Sequence, residues 1–406
     1  MHTKSKSRLA VVSPFLDKSH GTERLMVEWI SELAGAFEIH IYSQHIEDLD
    51  LSGITWHRIP KLPGPHLLNF LWWFVANRLW REWNQRMGGL RLDLVFSPGV
   101  NCLDADAVSV HIVFAEYMRK IERVSNLAKS RGWSALRTLH RKLYYRLVIF
   151  LERSAYTNSQ VTLIAHSRKT AGELETHYGR GKCVRLVYPG IDQCTFSPRK
   201  RAALRDEARR ELNLKENQFV ILLVGNDWRN KGVPVLLEVL DRLRRLPLVL
   251  LIVDRENPSA LRKVVFERNL ADRVRLLPPR KDVEFYYAAA DVYAGPSVQD
   301  SYALPPAEAM GCGLPVIVSA SAGVSEIITN GRDGLILEDP KDSAALAAMV
   351  RRLYEDEQFR NALGEKAAET ARKYTWERNG QELIAILGGI LQRKAGFTQQ
   401  VQAQEL

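Results

Sequence analysis

Residues 293–334 read YAGPSVQDSYALPPAEAMGCGLPVIVSASAGVSEIITNGRDG, and this stretch decides the fold. It divides into a short strand ending at Gly295-Pro296-Ser297, a loop carrying Asp300, and a short helix opened by Pro305-Pro306. Proline suits the first helical turn: its φ is already helical and its missing N–H has no intrahelical partner there. Glu308 falls in that turn, and Gly311 and Gly313 close the helix. A second strand, 315–318, follows at once. Strand, loop and helix start at this spacing point unpaired backbone N–H groups outward at the positive end of a helix dipole, a corner suited to an anion. Two carboxylates beside such a corner are repulsive unless they serve another part of the same ligand. A sugar nucleotide has that part: its hydroxyls donate to the carboxylates while its diphosphate meets the helix end. Read without that ligand, the stretch is a capped strand–helix unit with incidental acids.

Asp300, seven intervening residues, Glu308 and the following AMGCGLPVI resemble the E-x7-E motif of the retaining GT-B glycosyltransferases of the group 1 (family 4) type. The continuation AGVSEII (322–328) and NGRDGL (330–335) resembles the same family. In that family the first acid contacts the donor sugar and the second the ribose. The resemblance therefore implies those roles for Asp300 and Glu308, and donor contact for Ser301, Tyr302, Ala303 and Leu304 between them. This chain has Asp for the usual first Glu, and Ser301 and Ala303 stand where glycines are frequent.

Earlier segments extend the likeness. A strand over 9–13 runs into Asp17-Lys18-Ser19-His20-Gly21-Thr22-Glu23-Arg24, which resembles the family's G-G-x-E-R loop near the donor phosphates, with His20 replacing one glycine and Gly21 keeping the other. As a bare pattern it is a strand–helix turn. The strand over 107–113 carries His111. A histidine there in the family sits near donor sugar and acceptor; a lone histidine is otherwise a structural residue. The strand over 219–225 precedes NDWRNKG, whose Lys231-Gly232 matches the family's diphosphate-gripping K-G pair. Asn226 takes the place of the family's arginine, and Arg229 is close enough in sequence to substitute. Neither a Walker A loop nor a G-x-G-x-x-G fingerprint is present.

The 406 residues are enough for two or three domains, and the formal charge is +10. Residues 1–190 hold 26 Lys and Arg against 17 Asp and Glu, so almost the whole surplus lies in the first half. Residues 116–146 hold nine Lys or Arg against two acids, with Leu139, Leu143, Leu147 and Leu151 as a helical stripe and Arg137, Arg141, Lys142 and Arg146 around it. Such a segment suits anionic lipid headgroups; a solvated face is the alternative. Nucleic acid is not favoured, since no helix-turn-helix, zinc-finger or RRM pattern occurs. The tryptophan-rich stretch 67–87 reads as an interfacial helix or a buried domain helix. The four cysteines show no C-x-x-C or zinc spacing, as expected of reduced structural thiols in the cytoplasm. Residues 8–16 read as a first buried strand rather than a leader, and the longest apolar run, 70–76, is too short to span a bilayer.

The expected architecture is α/β, of GT-B type: two Rossmann-like domains facing across a cleft. Residues 1–190 form an acceptor domain and 191–375 a donor domain. A helix over 376–396 returns to the first, and a glutamine-rich disordered tail covers 397–406. The charged run 199–210 marks the boundary region. The implied activity is transfer of a hexose from a UDP- or GDP-sugar to a hydroxyl of a glycan or lipid-linked acceptor, with retention, at the cytoplasmic face of the membrane in polysaccharide or glycolipid synthesis. Lys231, Asp300 and His111 are the catalytic candidates. Gly21, Arg229, Ser301, Tyr302, Ala303, Leu304 and Glu308 join them in donor binding. No cofactor and no metal are expected: the two D-x-D triplets, Asp48-Leu49-Asp50 and Asp104-Ala105-Asp106, lie in the first domain, away from the expected diphosphate site. The competing readings are a non-catalytic nucleotide-sugar binder, an inverting transferase and a sugar epimerase.

Overall fold

The computed structural model describes residues 6–17, 21–125, 135–255 and 257–404. The chain forms two compact units: Met1–Tyr188 together with Trp376–Leu406, and Pro189–Thr375.

In the first unit the strands are β1 (Arg8–Val12), β2 (Phe15–Leu16), β3 (Glu38–Ser43), β4 (His45–Ile46), β5 (Ile54–Arg58), β6 (Leu94–Pro98), β7 (Ala107–Val110), β8 (Thr162–Ala165) and β9 (Arg185–Leu186). Seven of them make one parallel sheet in the order β5-β3-β1-β6-β7-β8-β9; β2 and β4 pair separately. The chain therefore steps outward from β1 in one direction, then returns and builds in the other. That reversal, between β1 and β6, is where doubly wound sheets bind ligands. One face of the sheet packs on Met26, Trp29 and Ile30 from the Gly21–Leu33 helix and on Leu383 and Leu387 from the Trp376–Gln404 helix. The other face packs on Trp73, Ala76 and Tyr156.

The second unit repeats the plan. Its strands β10 (Phe219–Val224), β11 (Leu248–Val253), β12 (Val274–Leu277), β13 (Val292–Gly295), β14 (Val316–Ser319) and β15 (Leu335–Leu337) are ordered β12-β11-β10-β13-β14-β15, all parallel. FVILLV and LVLLIV in β10 and β11 do not alternate because helices cover both faces of a parallel sheet, so every position is apolar. Here the reversal lies between β10 and β13.

Several elements differ from the sequence reading. The charged run 199–210, expected only to mark the boundary that falls at Tyr188–Pro189, is most of a helix, Pro198–Glu211, capped by the Ser197 hydroxyl. Its Arg201, Arg205 and Arg209 guanidinium groups donate to the carbonyls of Ala290, Ala288 and Ala289 at 2.9, 3.1 and 3.1 Å. Those carbonyls end the Glu284–Ala289 helix, where cations are favoured. The helix expected to stop before 397 runs from Trp376 to Gln404, since glutamine and alanine are good helix formers and no proline interrupts them. The leucine stripe 139–151 is not a buried face throughout. Leu151 is buried but Leu143 is exposed, and the side chain of Leu139 lies outside the described residues, as does that of Arg137. The tryptophan-rich helix, His66–Met87, has a buried side and an exposed apolar one: Trp73 and Ala76 are buried, while Leu68, Val75, Leu79, Trp83 and Met87 are exposed. Among the described residues no helix is long and apolar enough to cross a membrane.

Candidate functional site

The second unit assembles its polar residues at the C-terminal ends of β10 and β13, the reversal point of its sheet. The turn after β10 is shaped by glycine. Gly225 has φ +148°, and a Cβ there would lie 2.9 Å from Cε of Lys231, so the lysine stem crosses the bare glycine. Gly232 has φ +82°, and a Cβ there would lie 2.2 Å from the Pro296 carbonyl oxygen. This close approach brings the turn against the loop after β13. Two bonds stitch the loops together: Asn230 Nδ2 donates to the Gln299 carbonyl at 2.8 Å, and Val298 N–H donates to the Asn230 carbonyl at 2.7 Å. The result is direct contact between the Lys231 ammonium and the Asp300 carboxylate, a pair only 19% and 15% exposed.

Asp300 is held by its backbone as well. Its N–H donates to the Ser321 carbonyl at 3.3 Å, its carbonyl accepts from Gly323 N–H at 3.2 Å, and the Tyr302 carbonyl accepts from Val324 N–H at 2.7 Å. The Leu304–Gly311 helix starts next, with Ala303 as its N-cap residue at φ +74°. Pro305 and Pro306 remove two of the N–H groups of its first turn, so the helix offers an anion its dipole and the N–H groups of Ala303 and Leu304. Glu308 is buried in the same helix and accepts from the Tyr287 hydroxyl at 2.7 Å. Tyr293 lies beneath the site; burial first, and the Asp300 charge next, push its hydroxyl well above its ordinary pKa. Beside the turn, a cavity of about 280 Å³ opens at the ends of β11 and β12, lined by Trp228, Ile252, Asp254, Arg255, Leu276 and Pro278.

Of the residues expected at a donor site, the structure thus groups Lys231, Asp300, Ser301, Ala303, Leu304 and Glu308. The side chain of Tyr302 is buried. The Arg229 guanidinium stacks on the Trp228 ring, 4.1 Å from its centroid. Gly21 starts the Gly21–Leu33 helix in the first unit, where an added Cβ meets nothing within 4 Å. Residues 18–20 of its turn, His20 included, lie outside the described residues. His111, also in the first unit, follows β7 and bonds to Ser109 at 2.8 Å. Sequence reasoning missed Tyr287, Tyr293 and the Trp228 cavity. Tyr287 stands out as no motif residue, and its bond to Glu308 depends on how the helices pack.

The D-x-D triplets have other partners. Asp104 pairs with both terminal nitrogens of Arg81 at 2.7 and 2.8 Å. Asp106 accepts from Val95 N–H and pairs with Lys394, both at 2.9 Å. Asp50 accepts from Ser52. Among the described residues there is no group of three or more His, Cys, Asp or Glu that could hold a metal ion. The four cysteines are free thiols, with Cys102 and Cys312 buried.

Residues 19–193 match the family model described as Glycosyltransferase Family 4, and residues 205–370 match Glycosyl transferases group 1. The D-inositol 3-phosphate glycosyltransferase of Pseudarthrobacter chlorophenolicus is 32% identical over 244 residues, 58% of this chain and 57% of that protein. The enzyme of the same name from Salinispora tropica is 32% identical over 243 residues, 56% of this chain and 50% of that protein. The chain thus spans little more than half the length of these curated relatives. Among solved structures, WaaG, a glycosyltransferase involved in lipopolysaccharide biosynthesis, has a TM-score of 0.76 at 20% identity, covering 93% of this chain and 99% of that one. Anabaena HepE in complex with UDP and glucose has a TM-score of 0.71 at 17% identity, covering 94% of this chain and 100% of that one. At those identities the likeness concerns the fold, and it is the fold that both family models and the doubly wound sheets describe. The chain thus carries two glycosyltransferase domains, residues 19–193 of the family 4 kind and residues 205–370 of the group 1 kind, on a GT-B fold.

Proposed function

We propose that this protein transfers a hexose from a nucleotide-sugar donor to a hydroxyl of a glycan or lipid-linked acceptor, with retention of anomeric configuration. The observation that carries this reading is the Lys231–Asp300 contact beside the start of the Leu304–Gly311 helix, at the reversal point of the second sheet. Departure of a nucleoside diphosphate leaves negative charge on the leaving oxygens. Lys231 and the Ala303 and Leu304 N–H groups are fixed positive groups that meet that charge without reorganising. Asp300 accepts from hydroxyls of the transferred sugar, and Glu308, steadied by Tyr287, accepts from the ribose. The 280 Å³ cavity takes the base, UDP- and GDP-sugars being the donors to test first. His111 meets a hydroxyl of the donor sugar or acceptor. No metal is required in this scheme, so turnover persists in chelator; loss in EDTA with recovery on adding magnesium would refute that part.

A second acceptor reading has its own support. The curated relatives are named for D-inositol 3-phosphate, which points to a small phosphorylated acceptor. The exposed apolar face of the His66–Met87 helix and the basic first half favour the lipid-linked one, used at the cytoplasmic membrane surface in polysaccharide or glycolipid synthesis.

The test is a thermal-shift screen of nucleoside diphosphates and sugar nucleotides, followed by transfer assays with lipid-linked, glycan and inositol phosphate acceptors. NMR of the product gives the anomer. Stabilisation by a sugar nucleotide with turnover on one acceptor class is expected. Binding with neither transfer nor donor hydrolysis would leave a nucleotide-sugar binder. An inverted anomer would replace retention.

A further inference from the structure

Strands β7 and β8 run side by side, with Ser109 opposite Ile164 and Val110 opposite Ala165. Each is followed by a histidine, so His111 and His166 emerge together at the C-terminal edge of the first sheet, ring centroids 4.6 Å apart. Ser109 is fully buried, and its Oγ lies 2.8 Å from Nε2 of His111 and 2.8 Å from Nε2 of His166. The other nitrogen of His166, Nδ1, lies 3.0 Å from the Val187 carbonyl oxygen.

The proton positions follow from donor and acceptor chemistry. A carbonyl oxygen only accepts, so His166 carries its proton on Nδ1. Burial holds the pKa of His166 down at about 4, so the ring is neutral and Nε2 is a lone pair. The single hydroxyl hydrogen of Ser109 must go to that lone pair. Ser109 Oγ can then only accept from His111, which must carry its proton on Nε2. Desolvation first, and His166 next, hold His111 well below its ordinary pKa, so it too is neutral. Its Nδ1 makes no hydrogen bond among the described residues, and the side chain is partly exposed.

The chain is braced from behind. Val187 N–H donates to the Ala165 carbonyl at 2.9 Å. The next residue, Tyr188, accepts from Asn379 Nδ2 at 2.6 Å, and Asn379 in turn accepts from the Trp29 indole. The Trp29 ring lies 5.5 Å from that of His166. The carbonyl that sets the proton on His166 is thus fixed by the helix that returns to the first unit.

We propose that Ser109 and His166 are positioning residues that lock His111 as its Nε2–H tautomer, so that His111 meets a substrate hydroxyl through Nδ1 as a hydrogen-bond acceptor and never as a proton donor. The tautomer stands on the first unit alone; the hydroxyl ligand rests on the function proposed above. Nothing in the known motif marks this network, because Ser109 and His166 are separated by 56 intervening positions and meet only through strand pairing.

Long-range proton–nitrogen NMR of the full-length protein with labelled histidine tests the tautomer. His111→Gln and His166→Gln serve only to assign signals. The expected pattern at neutral pH is Nδ1–H for His166 and Nε2–H for His111. An Nδ1–H or doubly protonated His111 overturns the proposal, whether or not the protein transfers sugar. Ser109→Ala should leave His166 on its carbonyl, release His111 into a mixture of tautomers, and lower kcat about tenfold, the worth of one hydrogen bond. Ser109→Ala with an unmixed His111 signal, or with unchanged kcat, also overturns it. Failure to detect any transfer in wild type would instead remove the ligand and leave the tautomer to the NMR result.

Discussion

Ala303 stands where the family resemblance leads one to expect glycine, and its backbone shows what that exchange costs. At φ +74° and ψ +98° it occupies a region that residues with a Cβ avoid, at a penalty of about 1–3 kcal/mol. Ala303→Gly should therefore stabilise the protein by about 1 kcal/mol despite the greater freedom of glycine in the unfolded chain, read from the midpoint of urea unfolding. A lower midpoint would mean that the positive φ is not a strain. Asp300 invites a different test. With no ligand bound, its charge offsets that of Lys231, the group proposed for the diphosphate. Asp300→Ala frees that lysine, so the bare nucleoside diphosphate should bind several-fold more tightly while turnover falls. Glu308→Ala, which removes a charged partner for the ribose, should weaken the same ligand about tenfold or more. Calorimetric titration of both variants decides; weaker diphosphate binding in Asp300→Ala would show that the acid supports the anion site instead. The sequence named Lys231, Asp300 and Glu308 from spacing and resemblance. It could not name their supports, since Gly225 under the lysine and Tyr287 on Glu308 are neighbours only in the folded unit.

Elements were legible where pattern and environment agree. The apolar runs of β10, β11, β13 and β14 read as buried parallel strands because both faces are covered. The Pro198–Glu211 helix was opaque because its arginines face carbonyls of another helix, and a charge run carries no sign of that. The same kind of hidden partner governs the Phe114–Ser125 helix. Glu152, fully buried, accepts from Phe114 N–H at 2.9 Å, Ala115 N–H at 3.4 Å and the Tyr178 hydroxyl at 2.7 Å. Burial outweighs these bonds and raises its pKa to about 7 from 4.5. The folded state therefore binds a proton that the unfolded chain gives up, and stability is lost as pH rises from about 4.5 through about 7. Glu152→Gln should remove that loss. The wild type should fall relative to the variant by up to about 3 kcal/mol across the window, measured by denaturant unfolding at a series of pH values. Parallel pH profiles would show that Glu152 titrates as in the unfolded chain.

On the scale of the whole molecule, charge and apolar exposure coincide in the first half of the chain. Nearly all of the +10 surplus lies in residues 1–190. The His66–Met87 helix exposes Leu79, Trp83 and Met87 at 53%, 64% and 70%, a run of large apolar side chains that folding alone leaves in water. The Ala135–Tyr156 helix adds Phe150 at 68% exposure, together with exposed Lys142 and Arg146. Tryptophan and long apolar side chains beside basic residues suit the boundary between headgroups and acyl chains, with each cation near an anionic surface adding about 1 kcal/mol. The protein should therefore sediment with phosphatidylglycerol-containing vesicles and much less with pure phosphatidylcholine. About 1 M salt, which shortens the screening length to about 3 Å, should weaken the attraction without abolishing the apolar part. Reversing the charge at Arg141, Lys142 and Arg146 should remove the preference for anionic lipid, whereas Leu79→Ser with Trp83→Ser should weaken binding to both vesicle types. The two sets of variants separate a surface held by charge from one that inserts side chains. Equal sedimentation of wild type with neutral and anionic vesicles would remove the charge contribution, whereas no sedimentation with either, or binding indifferent to both sets, would exclude this face as a membrane contact and favour the small phosphorylated acceptor over the lipid-linked one.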